Sequence, residues 1–160
     1  AARTCSYSCM TEPEVLVAPN VLEYPYTRTL GPVMSRFFTS LRDGRIEGVR
    51  TPSGRVVCPP TEYDPWTGEN VDPDAFVPVG PGGTVTTWAW VTRPHPKHPL
   101  QRPFAWVLVQ LDGADTAMLH VVDTGDASRI RAGMRVVARL RPSRVGAISD
   151  IECFVPEEDA

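Results

Sequence analysis

The sequence predicts a mostly β chain, in which a five-stranded barrel follows a short helix and a small hairpin lobe. Three observations carry that expectation. Five segments in the second half are rich in β-branched and aromatic residues, Gly113, Gly125, Gly133 and Gly146 punctuate them, and the 17 prolines argue against long helices. A chain of 160 residues holds one core and a short extension, not two full domains.

Taken in order, residues 1–9 (AARTCSYSC) precede Met10 and read as additions to a native start there, so they carry no fold information. Residues 10–30 form an expected extended arm, with Val15, Val17, Val21, Leu22, Tyr24 and Tyr26 in loose alternation among prolines. From Pro32 the period changes. Val33, Phe37, Phe38 and Leu41 recur at helical spacing, Pro32 suits the first turn, and Asp43-Gly44 supplies a stop. Arg45 to Thr51 and Arg55 to Cys58, joined by Pro52-Ser53-Gly54, read as a hairpin. Residues 59–83 carry loop chemistry throughout, with a lobe boundary near Val79.

The five strong strand candidates follow: Thr84–Thr92, Phe104–Leu111, Ala117–Val122, Met134–Leu140 and Ile148–Phe154. Strands of this length suit a small barrel such as an OB-fold, with a β-sandwich as the competing architecture. The organisation is therefore an arm at 10–30, a helix and hairpin lobe at 31–78, the barrel at 79–156 and an acidic tail at 157–160.

Composition narrows the function classes. A hydrophobic share of 42% with 22% charged residues is that of a globular chain, not a disordered one. The net charge of −3 gives no general attraction to phosphate backbones or anionic membranes. No apolar run approaches the roughly 20 residues that span a bilayer, and the expected location is cytoplasmic. Cys58 and Cys153 read as buried small hydrophobes and not as a disulfide pair.

The candidate chemistry is sparse. Arg93 to Pro103 (RPHPKHPLQRP) gathers Arg93, His95, Lys97, His98 and Arg102 on a proline-stiffened loop, a pattern suited either to phosphate contact or to plain solvation. A third ligand near His95 and His98 is missing, which disfavours a metal site. His120 sits on a strand between Leu119 and Val121 and reads as a satisfied barrel histidine. Asp112, Asp115, Asp123 and Asp126 surround turns and read as caps. Trp88 and Trp90 share one face of a strand, with Trp106 on the next. The chain contains no nucleophile elbow, phosphate-binding loop or His-Glu-x-x-His helix, so no catalytic residue is assigned.

The order of parts, with PFAWVLVQLDG and later RIRAGMRVVARL, resembles the acyl-CoA-associated OB-fold family once filed as domain of unknown function thirty-five, over roughly Pro32 to Pro156. The resemblance is to the version attached to MaoC-like enoyl-CoA hydratase subunits of actinobacterial steroid degradation. Family members carry a zinc ribbon with two Cys-x-x-Cys pairs. Here Arg50-Thr51-Pro52-Ser53 and Asp64-Pro65-Trp66-Thr67-Gly68 stand in those places, so the resemblance implies a degenerate ribbon without zinc.

It further implies a non-catalytic subunit partnering a thiolase-like, lipid-transfer-protein-type aldolase. That enzyme cleaves a steroid side-chain acyl-CoA by a retro-aldol reaction to a ketosteroid and propionyl-CoA. A two-plus-two heterotetramer and contact with a MaoC-like hydratase are the associated expectations, with a CoA ester as the substrate of the complex and no cofactor on this chain. Within that reading, Arg93, Lys97 and Arg102 are candidates for CoA contact; Val33, Phe37, Phe38 and Leu41, with the arm, are candidates for the partner interface. The alternative is a single-stranded nucleic-acid module using Trp88, Trp90 and the basic loop. An independent acyl-CoA hydrolase or transferase lacks a nucleophile and base to support it.

Overall fold

The computed structural model describes residues 18–24, 27 and 29–160, so the expectations on Val15, Val17 and Tyr26 lie outside the described residues. Ala18 to Tyr24 adopt neither helix nor strand. The helix α1 (Pro32–Arg42) begins as the proline dictates, and Glu62 Oε1 accepts from the Met34 N–H at 3.3 Å in place of a side-chain cap from Gly31. It ends where Gly44 adopts a positive φ of 81°.

The lobe is a three-stranded antiparallel sheet in which β1 (Glu47–Arg50) lies between β2 (Val56–Val57) and β3 (Phe76–Pro78). The strand β3 falls inside the stretch expected to be all loop. Three residues are too few to display alternation, and the pairing Gly48↔Val77 is set by β1 and not by any local preference. The lobe is fastened to the barrel by paired contacts. Asp115 Oδ2 accepts from Val56 N at 2.7 Å while Asp115 N donates to Val56 O at 2.8 Å, and Thr116 Oγ1 both accepts from Cys58 N and donates to Cys58 O.

All five expected barrel strands are present as β4 (Gly82–Val91), β5 (Phe104–Leu111), β6 (Ala117–Val122), β7 (Arg135–Leu140) and β8 (Ile151–Pro156). They close in the order β4-β5-β6-β8-β7, an OB-fold barrel, which rules out the sandwich. Every strand of a closed ring has two neighbours, and the ring closes where β4 meets β7. β4 pairs with β7 through Gly82 to Thr84 and with β5 along its length, and a Cβ on Gly83 would lie 2.8 Å from Gln110 O. The glycine therefore permits the close approach at the seam. Residues Ile148–Asp150 form a 3₁₀ turn instead of opening the last strand, because the buried Asp150 carboxylate collects the N–H groups of Val145, Gly146 and Ala147.

The helix supplies core to both parts. Val33 packs with Val49, Val57 and Val71 in the lobe, whereas Phe37 and Leu41 join Val85, Val107, Val109, Leu111, Met118 and Phe154 in the barrel. This corrects the expectation that these side chains face a partner: Val33, Phe37 and Leu41 are 1%, 0% and 0% exposed. The open end of a small barrel needs a plug, and the chain's own helix provides it. Only Phe38 of the four retains partial exposure. No helix among the described residues is long and apolar enough to cross a membrane.

Candidate functional site

The basic loop between β4 and β5 is folded back on itself, not extended as its prolines suggest. His98 N donates to His95 O at 2.9 Å, Lys97 N to His95 Nδ1 at 3.1 Å and His95 N to His98 Nδ1 at 3.2 Å. Both imidazoles thus spend their Nδ1 lone pairs on the loop's own backbone. The His98 ring also stands edge-on to Phe104 and Trp106, with centroids 5.6 and 6.2 Å away. The loop is consequently pinned to the outer face of the barrel.

Its three candidate cations are not equivalent. Arg102 is bound by Asp123; that bond raises its pKa further and, against the opposing effect of burial, holds the Asp123 carboxyl below its ordinary value. Lys97 Nζ reaches Glu23 Oε1 of the arm at 3.3 Å, both being exposed. Arg93 is exposed and has no ion pair among the described residues. The loop therefore offers Arg93 and Lys97 to an anion more readily than Arg102, whose charge is already matched.

Where the two turns of the lobe meet, at 50–53 and 64–68, the structure has a buried carboxylate. Asp64 is 1% exposed; its Oδ2 accepts from Ser53 N and its Oδ1 from Trp66 N, each at 2.8 Å. Desolvation opposes the charged form, but the Trp66 N–H and the donors of Ser53 and Thr51 outweigh it and hold the carboxyl well below the usual range. The Arg55 guanidinium lies 4.1 Å from the Trp66 ring centroid across the same two turns. The sequence shows Asp64 only as one loop acid among several; its position ahead of Pro-Trp-Thr-Gly, as an Asx turn, is the signal that marks it. Among the described residues no group of three His, Cys, Asp or Glu side chains is placed to hold a metal ion.

The aspartates expected as caps divide their work. Asp126 caps a 3₁₀ turn through Ser128 N at 2.7 Å, Asp112 pairs with Arg135 through two bonds of 2.7 and 2.6 Å, and Asp115 and Asp123 make the links described above. Trp88 is exposed, and Trp90 packs partly on the core. His120 is buried as expected, but its Nδ1 finds no hydrogen-bond partner. The two thiols among the described residues are buried, and burial pushes Cys58 up to about 12 and Cys153 up to about 11. On the arm, Val21, Leu22 and Tyr24 are 74%, 72% and 75% exposed. Three neighbouring large apolar side chains in water form the most conspicuous unsatisfied surface among the described residues.

The fold and these surfaces define an OB-fold protein whose barrel is plugged by a preceding helix and flanked by a small three-stranded lobe. Residues 76–141, from β3 through β7, match the family model described as the ChsH2 C-terminal OB-fold domain. Two solved structures share the architecture. A protein of unknown function from the DUF35 family of Sulfolobus solfataricus superimposes with a TM-score of 0.55 at 16% identity, over 68% of this chain and 77% of that one. A chain of the Ltp2-ChsH2(DUF35) aldolase does so with a TM-score of 0.57 at 21% identity, over 81% of this chain and 98% of that one. A search of curated proteins finds no match.

Proposed function

We propose that this chain is a non-catalytic accessory subunit of a thiolase-like aldolase that cleaves a steroid side-chain acyl-CoA by retro-aldol reaction. The observation that carries the reading is the match of residues 76–141 to the ChsH2 C-terminal OB-fold domain. It is supported by likeness to a chain of the Ltp2-ChsH2(DUF35) aldolase, nearly all of which is covered. In this reading the groups that make and break bonds belong to the larger subunit, and this chain orders that subunit's active site.

The exposed arm around Val21, Leu22 and Tyr24, with the half-buried Phe38, provides the partner surface. Arg93 and Lys97 meet CoA phosphates at its edge, with Arg102 contributing only if it leaves Asp123. A two-plus-two assembly follows if each active site of a dimeric enzyme recruits one copy. Co-expression with a thiolase-type aldolase, followed by size-exclusion chromatography with light scattering, tests this directly. A stable complex with equal numbers of the two chains is expected; separate elution of both at micromolar concentration would sink the assignment.

A further inference from the structure

We propose that the cleft formed by Arg129, Arg131 and Arg135 is a docking site for an acidic peptide segment of another protein, held closed by the chain's own acidic turn until such a segment displaces it. The 3₁₀ turn Glu157–Asp159 follows β8 directly and lies beside the start of β7, where Val136 pairs with Pro156. Its three acids are divided between two arginines. Glu157 Oε2 accepts from Arg135 Nε at 3.4 Å, whereas Glu158 Oε1 and Asp159 Oδ2 both accept from Arg129 Nη2, at 3.2 and 2.7 Å. Beside them lies a cavity of about 450 Å³ walled by Arg131, Met134, Arg135, Pro156, Glu157 and Glu158. Arg131 is exposed there and has no ion pair among the described residues.

Three features make this more than a terminus pinned by ion pairs. The arginines are fixed by other bonds: Arg129 Nη1 donates to Thr124 O at 3.2 Å, and Arg135 donates to Thr84 Oγ1 at 3.3 Å and to the two Asp112 oxygens at 2.7 and 2.6 Å. The donors therefore stay in place when the turn departs, which keeps the ordering cost of a new occupant low. The carboxylates are also spaced. No single one reaches both guanidiniums, so one compact anion satisfies one arginine, while acids on successive residues of a peptide satisfy both. Closure is weak as well, because all three acids are exposed, and exposed ion pairs add little stability and are screened by salt. An incoming acidic segment meets the same donors and gains Arg131, which the turn leaves unpaired. With the turn displaced, Arg135 keeps Asp112, and Arg129 and Arg131 carry the uncompensated charge that receives the peptide.

The test is fluorescence polarisation of a labelled EEDEED peptide with the full chain at low salt. Glu157→Gln/Glu158→Gln/Asp159→Asn opens the cleft and should bind the peptide about fivefold or more tighter than the unaltered chain. Adding Arg129→Gln and Arg131→Gln to the opened chain should weaken binding about tenfold while circular dichroism stays unchanged. Asp43→Asn/Glu69→Gln/Asp74→Asn removes the same number of exposed charges elsewhere and should leave the affinity of the unaltered chain where it was. No binding by the opened chain, equal tightening in the Asp43/Glu69/Asp74 control, or binding that survives loss of Arg129 and Arg131 would each overturn the proposal. Pyrophosphate bound as tightly as the peptide would do so too, by reassigning the cleft to compact phosphates. None of these results bears on whether the aldolase complex forms, so the two readings fail separately.

Discussion

Asp64 and Ser53, eleven positions apart in sequence, are joined through a buried carboxylate that accepts the Ser53 N–H at 2.8 Å while also closing its own turn on Trp66 N. A hydrogen-bonded anion thus holds the two turns of the lobe together. The charge is stabilised because several donors converge on it, which is the condition under which a buried carboxylate is tolerated.

Acid should therefore loosen the two turns that Asp64 ties together. The Asp64 carboxyl is depressed in the folded chain, so its contribution is complete above the ordinary aspartate pKa and is lost as pH falls below it towards the folded value. Trp66 fluorescence should report this transition, and Asp64→Asn should abolish its pH dependence while lowering thermal stability at pH 7. An acid transition unchanged in the variant would assign it to other carboxylates.

Zinc should play no part in the lobe's stability. Purified chain should contain far less than one zinc per molecule, and a strong chelator should leave its melting temperature where it was. Stoichiometric zinc removed only with loss of structure would require ligands other than the residues that now occupy those turns.

The helix is core, so truncating it should be expensive. Phe37→Ala leaves a hole shared with Val85 and Phe154 and should cost about 3–5 kcal/mol in urea unfolding. By contrast, Leu22→Ser and Tyr24→Ser on the exposed arm should change the stability of the free chain by less than about 0.5 kcal/mol and yet weaken association with the aldolase.

Cys58 and Cys153 should be unreactive while the chain is folded. With Cys58 and Cys153 buried and raised to about 12 and about 11, a thiol reagent at pH 8, with its sites mapped by mass spectrometry, should label neither of these two until denaturant is added. Because the protonated form is favoured by the fold, their contribution is intact below the ordinary thiol pKa of about 8.5 and is lost as pH rises through the folded values.

Much of the architecture was legible because it rests on local pattern. The helix from Pro32 and the five barrel strands declare themselves by periodicity and by β-branched runs. What was hidden depends on distant partners. Strand β3 exists only because β1 offers it an edge, and the turn at Ile148 follows from where Asp150 points its carboxylate. The apolar stripe of the helix was visible, but its destination was not. Periodicity says that Val33, Phe37 and Leu41 share a face, and only the closed barrel shows that this face lies inward. The candidate site was the least legible part: Asp64 and His120 matter through burial and through what does or does not meet their polar atoms, which no spacing encodes.

The central claim is that bond cleavage belongs to another polypeptide, and it is tested most directly by a steroid side-chain acyl-CoA cleavage assay on three samples: this chain, the aldolase, and the two combined. The account predicts no turnover by the chain alone and a large gain when it is added to the aldolase. Turnover by the chain alone, or an aldolase equally active without it, would contradict the account.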